Sequence, residues 1–162
     1  MRVVFQWLFC VSLASLVLGC GGGDNKPAEQ IKVDLVPAAG IVTLDGKPLA
    51  DATISFQFDG PPPKGFVASG AKSDSSGKFI VMTGSKSGTA PGRYKVTVSL
   101  LKMPDGSPVK ATEPGLDVEM LRQGGQVKES IPERFSNPEI TELSAAIPDD
   151  GVKDIELKLT GS

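Results

Sequence analysis

The chain reads as an all-β protein of hairpin-connected strands, and three observations carry that expectation. Apolar and polar residues alternate with a period of two in 53–58, 94–100 and 154–159, the spacing of strands with one buried face. Turn-forming pairs separate these stretches: Asp45-Gly46, Ser76-Gly77 and Asp150-Gly151, each with a glycine free to take positive φ. Pro61, Pro62 and Pro63 stop pairing between two of them, because proline offers no backbone donor to a central strand.

Taken in order, residues 31–36 are a candidate first edge strand cut short by Pro37, and the folded part is expected to start near Ala38. Residues 40–44 run as a strand into the turn Asp45-Gly46-Lys47-Pro48. In Thr53–Phe58, Ile54, Phe56 and Phe58 share one face, with Thr53, Ser55 and Gln57 on the other. Residues 66–73 and 78–83 are expected to pair as a hairpin around Asp74-Ser75-Ser76-Gly77. Pro91-Gly92 opens the clearest strand, with Tyr94, Val96, Val98 and Leu100 on one side and Lys95, Thr97 and Ser99 on the other. Ile155, Leu157 and Leu159 alternate with Asp154, Glu156 and Lys158 after a turn at 148–151, and 141–147 is expected to pair with that last strand. Between lies a long loop at 102–137 with prolines at 104, 108, 114 and 132, in which 116–122 offers a helical turn or two. A loop of that length in a compact domain is a place for contacts.

Three of these segments together resemble a family. Residues 40–56 (GIVTLDGKPLADATISF), 73–79 (SDSSGKF) and 90–98 (APGRYKVTV) are similar in order and spacing to the signatures of carboxypeptidase regulatory-like and transthyretin-like domains. Residues 131–138 (IPERFSNP) and the final strand resemble small exported lipoproteins abundant in planctomycete bacteria. The resemblance implies an antiparallel Greek-key β-sandwich of about seven strands, the transthyretin-like or prealbumin-like fold. It implies no enzyme, since in the carboxypeptidases catalysis belongs to a separate domain.

The N-terminus carries its own signal. Arg2 precedes the apolar stretch 3–18, broken only by Gln6, Ser12 and Ser15. That run suits a signal peptide and is short for a spanning helix, which needs about 20 apolar residues. Val17-Leu18-Gly19-Cys20 resembles a lipobox read by lipoprotein signal peptidase, although Leu18 sits where a smaller residue is commoner. The resemblance implies a leader at 1–19 and a mature N-terminus at Cys20, carrying S-diacylglycerol and an N-acyl chain such as palmitate. Residues 20–37, Gly-rich at first, then form a flexible lipidated tether for a domain at 38–162. At ~0.8 kcal/mol per buried methylene, three chains anchor the protein almost permanently. The alternatives are an ordinary signal peptide cut near Gly19 and an uncleaved anchor. Gly21 after Cys20, where an aspartate favours inner-membrane retention, implies the outer membrane, with the domain in the periplasm or at the cell surface.

Composition narrows the chemistry. Loss of Arg2 with the leader leaves 16 basic against 19 acidic residues, mixed along the chain, so a nucleic-acid partner is not expected. Cys10 leaves too, so Cys20 is the only mature thiol and no internal disulfide forms. There is no histidine, which removes Ser-His-Asp and Cys-His arrangements and histidine-based zinc sites. S-x-x-K occurs at Ser69/Lys72, Ser75/Lys78, Ser99/Lys102 and Ser107/Lys110. Residues three apart point to opposite faces of a strand, so none of these is expected to pair nucleophile with base. Carboxylate pairs at Asp149-Asp150, Asp45 with Asp51 and Glu139 with Glu142 lack any calcium-loop spacing and read as solvated turns.

The expectation is therefore an exported lipoprotein, held on the cell membrane through Cys20, whose β-sandwich has a structural or protein-interaction role in the cell envelope. No cofactor, metal or catalytic residue is expected. The alternative is a carbohydrate- or small-molecule-binding module, and an enzyme comes last. Carbohydrate is disfavoured because Phe5, Trp7 and Phe9 leave with the leader, and Tyr94 and the remaining phenylalanines are needed in the core.

Overall fold

Strand alternation decides the architecture of the computed structural model, which describes residues 33–107, 109 and 118–161. The leader, Cys20 and the tether as far as residue 32 lie outside the described residues. In chain order the elements are β1 (Ala38–Leu44), β2 (Lys47–Pro48), β3 (Thr53–Phe58), β4 (Ser69–Lys72), β5 (Lys78–Ile80), β6 (Met82–Thr83), β7 (Lys86–Ser87), β8 (Gly92–Ser99) and β9 (Leu101–Lys102). There follow α1 (Val118–Gln123), β10 (Lys128–Glu129), α2 (Glu133–Ser136), β11 (Ser144–Ile147) and β12 (Val152–Leu159).

Two sheets result. One is antiparallel throughout, in the order β11-β8-β3-β4-β6-β7. The other is built on β1, with β12 on one side and β5 and β2 on the other. Ile54, Phe56, Tyr94, Val96 and Val98 of the first sheet and Val42, Phe79, Leu157 and Leu159 of the second form one buried cluster, which Ile131 and Phe135 join. The protein is an all-β sandwich. Each such side chain contributes roughly 1.5–3 kcal/mol on burial.

Two pairings differ from expectation. Residues 141–147 were expected to pair with the last strand, but β11 pairs antiparallel with β8, from Ser144↔Lys95 to Ile147↔Gly92. β12 instead pairs with β1, and in parallel, from Gly40↔Ile155 to Leu44↔Leu159. The 148–151 turn carries the chain from one sheet to the other. Gly151, at φ +86°, lies so close to Pro37 that a Cβ there would sit 2.4 Å from the Pro37 carbonyl oxygen. Val152 N–H then donates to that oxygen at 2.9 Å and starts the parallel ladder.

The expected hairpin of 66–73 with 78–83 forms only in part. β4 pairs with β6 through Ser69↔Thr83 and Gly70↔Met82, whereas β5 pairs with β1. Val81 is the corner: fully buried, it donates to the Ala38 carbonyl at 2.8 Å and accepts from Gly88 N–H at 2.7 Å. Phe79, Val81 and Thr83 all point inward, so one continuous inward face serves both sheets.

The candidate edge strand 31–36, in its described part, is reduced to one bridge, Val36↔Thr89. The expected loop at 102–137 is ordered where it is described. β9 pairs with β10, α1 overlaps the anticipated helical turns, and α2 packs on β8. Residues 116 and 117 of that helical expectation lie outside the described residues.

Candidate functional site

The residues that carry the family resemblance are occupied in holding the fold. Asp45 (φ +50°) and Gly46 (φ +77°) make the tight turn between β1 and β2, and Asp45 Oδ1 accepts from Gly161 N–H at 2.8 Å. Asp74 Oδ1 accepts from the N–H groups of Ser76 and Lys78 at 2.8 and 2.9 Å. That turn docks on β1, where Val42 N–H donates to the Gly77 carbonyl at 2.8 Å. Gly77 has φ +73°, and a Cβ there would meet Val42 O at 2.5 Å. The buried Ser73 hydroxyl donates to Leu49 O at 2.7 Å and accepts from Ala52 N–H at 2.9 Å.

Tyr94 sits among Phe56, Phe58 and Phe66, with its ring centroid 4.4 Å from that of Phe58. Its hydroxyl donates to Ala90 O at 2.6 Å and shares a 2.9 Å hydrogen bond with Thr89, which in turn bonds Ser69 at 2.9 Å. Burial raises the phenol's pKa above the ordinary value near 10, and the Thr89 bond offsets this only in part.

Three of the four Ser-Lys pairs lie wholly within the described residues. Ser69 is buried against Thr89, while Lys72 makes an exposed ion pair with Asp51 at 3.0 Å. Ser75 lies in an exposed turn, and Lys78, also exposed, opens β5. Ser99 donates to Glu129 Oε2, and Ser107 to Asp105 Oδ1, both at 2.6 Å. Lys110 lies outside the described residues. The Ser107 bonds hold the Asp105 carboxyl below its usual pKa. Asp149 and Asp150 form an exposed turn, Glu139 and Glu142 are exposed, and Asp45 is bound to Gly161. No group of three or more His, Cys, Asp or Glu residues is placed to hold a metal among the described residues.

A different surface has the geometry of a binding site. On the outer face of the β5-β1-β12 sheet, an open groove of about 840 Å³ is lined in part by Ala39, Ile41, Ile80 and Met82. Ile80 is 60% exposed and Met82 38%. Lys78, Ile41 and Glu156 stand in one row across the three strands, and Ile80 and Ala39 in the next. Opposite Ala39 the register slips, so that Lys153 and Asp154 together face one residue. This β-bulge turns both charges outward onto the rim. Lys158 beside Glu156 holds the Glu156 carboxyl below its usual pKa.

Reasoning from sequence missed this groove, although a signal was present. In 78–83 both alternating faces carry apolar side chains: Phe79 and Val81 inward, Ile80 and Met82 outward. Two consecutive polar residues, Lys153 and Asp154, also break the alternation of the last strand where the bulge falls.

Comparison of the chain with protein-family models, curated proteins and solved structures finds no match. Cys20, the expected lipid-attachment residue, lies outside the described residues. No helix among the described residues is long and apolar enough to cross a membrane.

Proposed function

We propose that the protein is an exported lipoprotein, anchored through Cys20, whose transthyretin-like sandwich is a non-catalytic interaction module of the cell envelope. The observation that carries the interaction role is the outer groove: an apolar floor on a flat sheet face, rimmed by charges of both signs. A surface of that make-up suits a protein partner, whose apolar side chains fill the floor while the rim charges set orientation.

The placement of the other reactive groups supports the same reading. Ser69, Ser73, Ser99 and Ser107 each spend their hydroxyl on a structural hydrogen bond. Among the described residues no aromatic ring is among the exposed large hydrophobic side chains, which disfavours the sugar-stacking platform of a carbohydrate binder.

A photo-crosslinking residue in place of Ile80, in intact cells, tests the interaction role. A protein adduct there, absent when the same residue replaces Lys47, is the expected result. Tight binding of cell-wall glycans with no adduct overturns the reading. For the anchor, Cys20→Ser is expected to abolish acyl incorporation and to release processed protein from the membrane fraction. A variant that stays membrane-bound, with unprocessed wild type predominating, overturns it.

A further inference from the structure

The long free edge of the sheet built on β1 belongs to β12, which pairs only with β1 among the described residues. Leu159 O accepts from Asp45 N–H at 2.9 Å, so Ile155, Leu157 and Leu159 turn their backbone groups toward β1. Glu156 and Lys158 then turn theirs outward, because successive residues of a strand alternate. An unpaired edge of this kind is a template for another strand unless something blunts it.

Here the devices that interrupt the backbone edge sit at the ends, and between them the exposed Glu156 and Lys158 carry opposite charges that pair within the strand. The bulge at Lys153 and Asp154 ends the flat stretch on one side, and on the other Arg134 donates to the Thr160 carbonyl at 2.7 Å. Within 155–159 there is no proline and no inward-pointing charge, since Ile155, Leu157 and Leu159 are all buried in the core.

We infer that β12 pairs antiparallel with β12 of a second copy of the chain, about a two-fold axis at Leu157. Charge complementarity selects that register. With the axis at Leu157, Glu156 lies opposite the partner's Lys158 and Lys158 opposite the partner's Glu156. Opposite charges directly across a strand pair are favourable, and like charges are not. An axis at Glu156 or at Lys158 sets that residue against its own copy, and one at Ile155 sets Asp154 against Glu156. A register shifted by half a step places inward residues against outward ones, which the pleat forbids. The pairing joins two sheets into one, with an isologous interface that closes on itself and uses up both β12 edges.

The test is Glu156→Cys/Lys158→Cys in the full chain, oxidised in intact membranes and run on a non-reducing denaturing gel. Residues directly opposite in an antiparallel pair have Cα atoms ~5 Å apart, within disulfide reach. Most of the double variant should run at twice the monomer mass, and either single variant at the wild-type level. Coexpression of the two single variants should restore the dimer band. A double variant that stays monomeric, or Glu156→Cys alone dimerising as strongly, overturns the inference.

A second measurement needs no variant. A zero-length carboxylate-to-amine crosslinker on mixed light and ¹⁵N-labelled wild type should give a hybrid-mass link between Glu156 and Lys158. Only unmixed links overturn the pairing. The edge and the groove are probed at different residues, so failure here and failure of the Ile80 adduct are separate results.

Discussion

The two faces of the β5-β1-β12 sheet use the same kinds of side chain to opposite ends. Inward, Val42, Phe79 and Leu157 are 0–3% exposed and pack against the six-stranded sheet. Outward, Ile41, Ile80 and Met82 are branched or flexible apolar residues that no element among the described residues covers. Hydrophobicity alone therefore does not separate core from surface here; the register does. The inner face accounts for stability, and the outer face is where the proposed partner would leave its mark.

Substitutions can break this contrast, beginning on the inner face. Leu157→Ala should cost about 2–5 kcal/mol of folding stability, read as a lower midpoint in urea at unchanged slope. A loss comparable to that of an outer-face substitution would mean that the two sheets do not pack as described.

Gly77→Ala sharpens the contrast at the turn that docks on β1. Positive φ and a Cβ 2.5 Å from Val42 O together should cost roughly 1–3 kcal/mol, and thermal unfolding checks it. Gly46→Ala, with nothing within 4 Å of its Cβ, carries the φ penalty without the clash and should be milder.

Tyr94→Phe should cost about 1–2 kcal/mol, because the Ala90 carbonyl loses its donor. This is the only tyrosine of the chain, so its tyrosinate absorbance is an unmixed signal. The raised phenol pKa means that the unfolded chain ionises first as pH rises. Stability is then fully present below about pH 10 and falls above it. The wild type should show tyrosinate only as it unfolds, and Tyr94→Phe should lose this part of the alkaline decline. Tyrosinate appearing in the folded protein at the ordinary pKa contradicts the buried network.

The smallest effect belongs to the outer face. Ile80→Ser should change stability by no more than about 0.5 kcal/mol. A photo-crosslinking residue in place of Ile41, in the adjoining row of the groove, should lose its partner adduct in that variant. A large stability loss would place Ile80 in the core instead.

The fold class was legible because alternation marks a half-buried strand whatever its partner. Thr53–Phe58 and the stretch around Tyr94 show it without ambiguity. Partner choice was not legible. β11 and β12 are joined by a turn that reads like a hairpin, yet they run to different sheets, with Gly151 close against Pro37, a residue remote in sequence. The split of 78–83 was hidden for a related reason, since an unbroken inward face at Phe79, Val81 and Thr83 is compatible with one sheet or two. The turn roles of Asp74 and Gly77 followed from turn chemistry, whereas the Ser73 bonds to Leu49 and Ala52 and the groove needed remote segments brought side by side.

The parallel pairing of β1 with β12 also bears on the order of events during synthesis. The first and last strands of the sandwich close on each other, and Asp45 and Gly161, 116 residues apart, share a hydrogen bond. Contacts between such distant partners are slow to form, because the loop-closure entropy is lost before the contact is gained. Until β12 is available, β1 has only β2 and β5 as ladder mates and the parallel pair cannot close. Closure of this sheet therefore waits for β12, the last of the described strands.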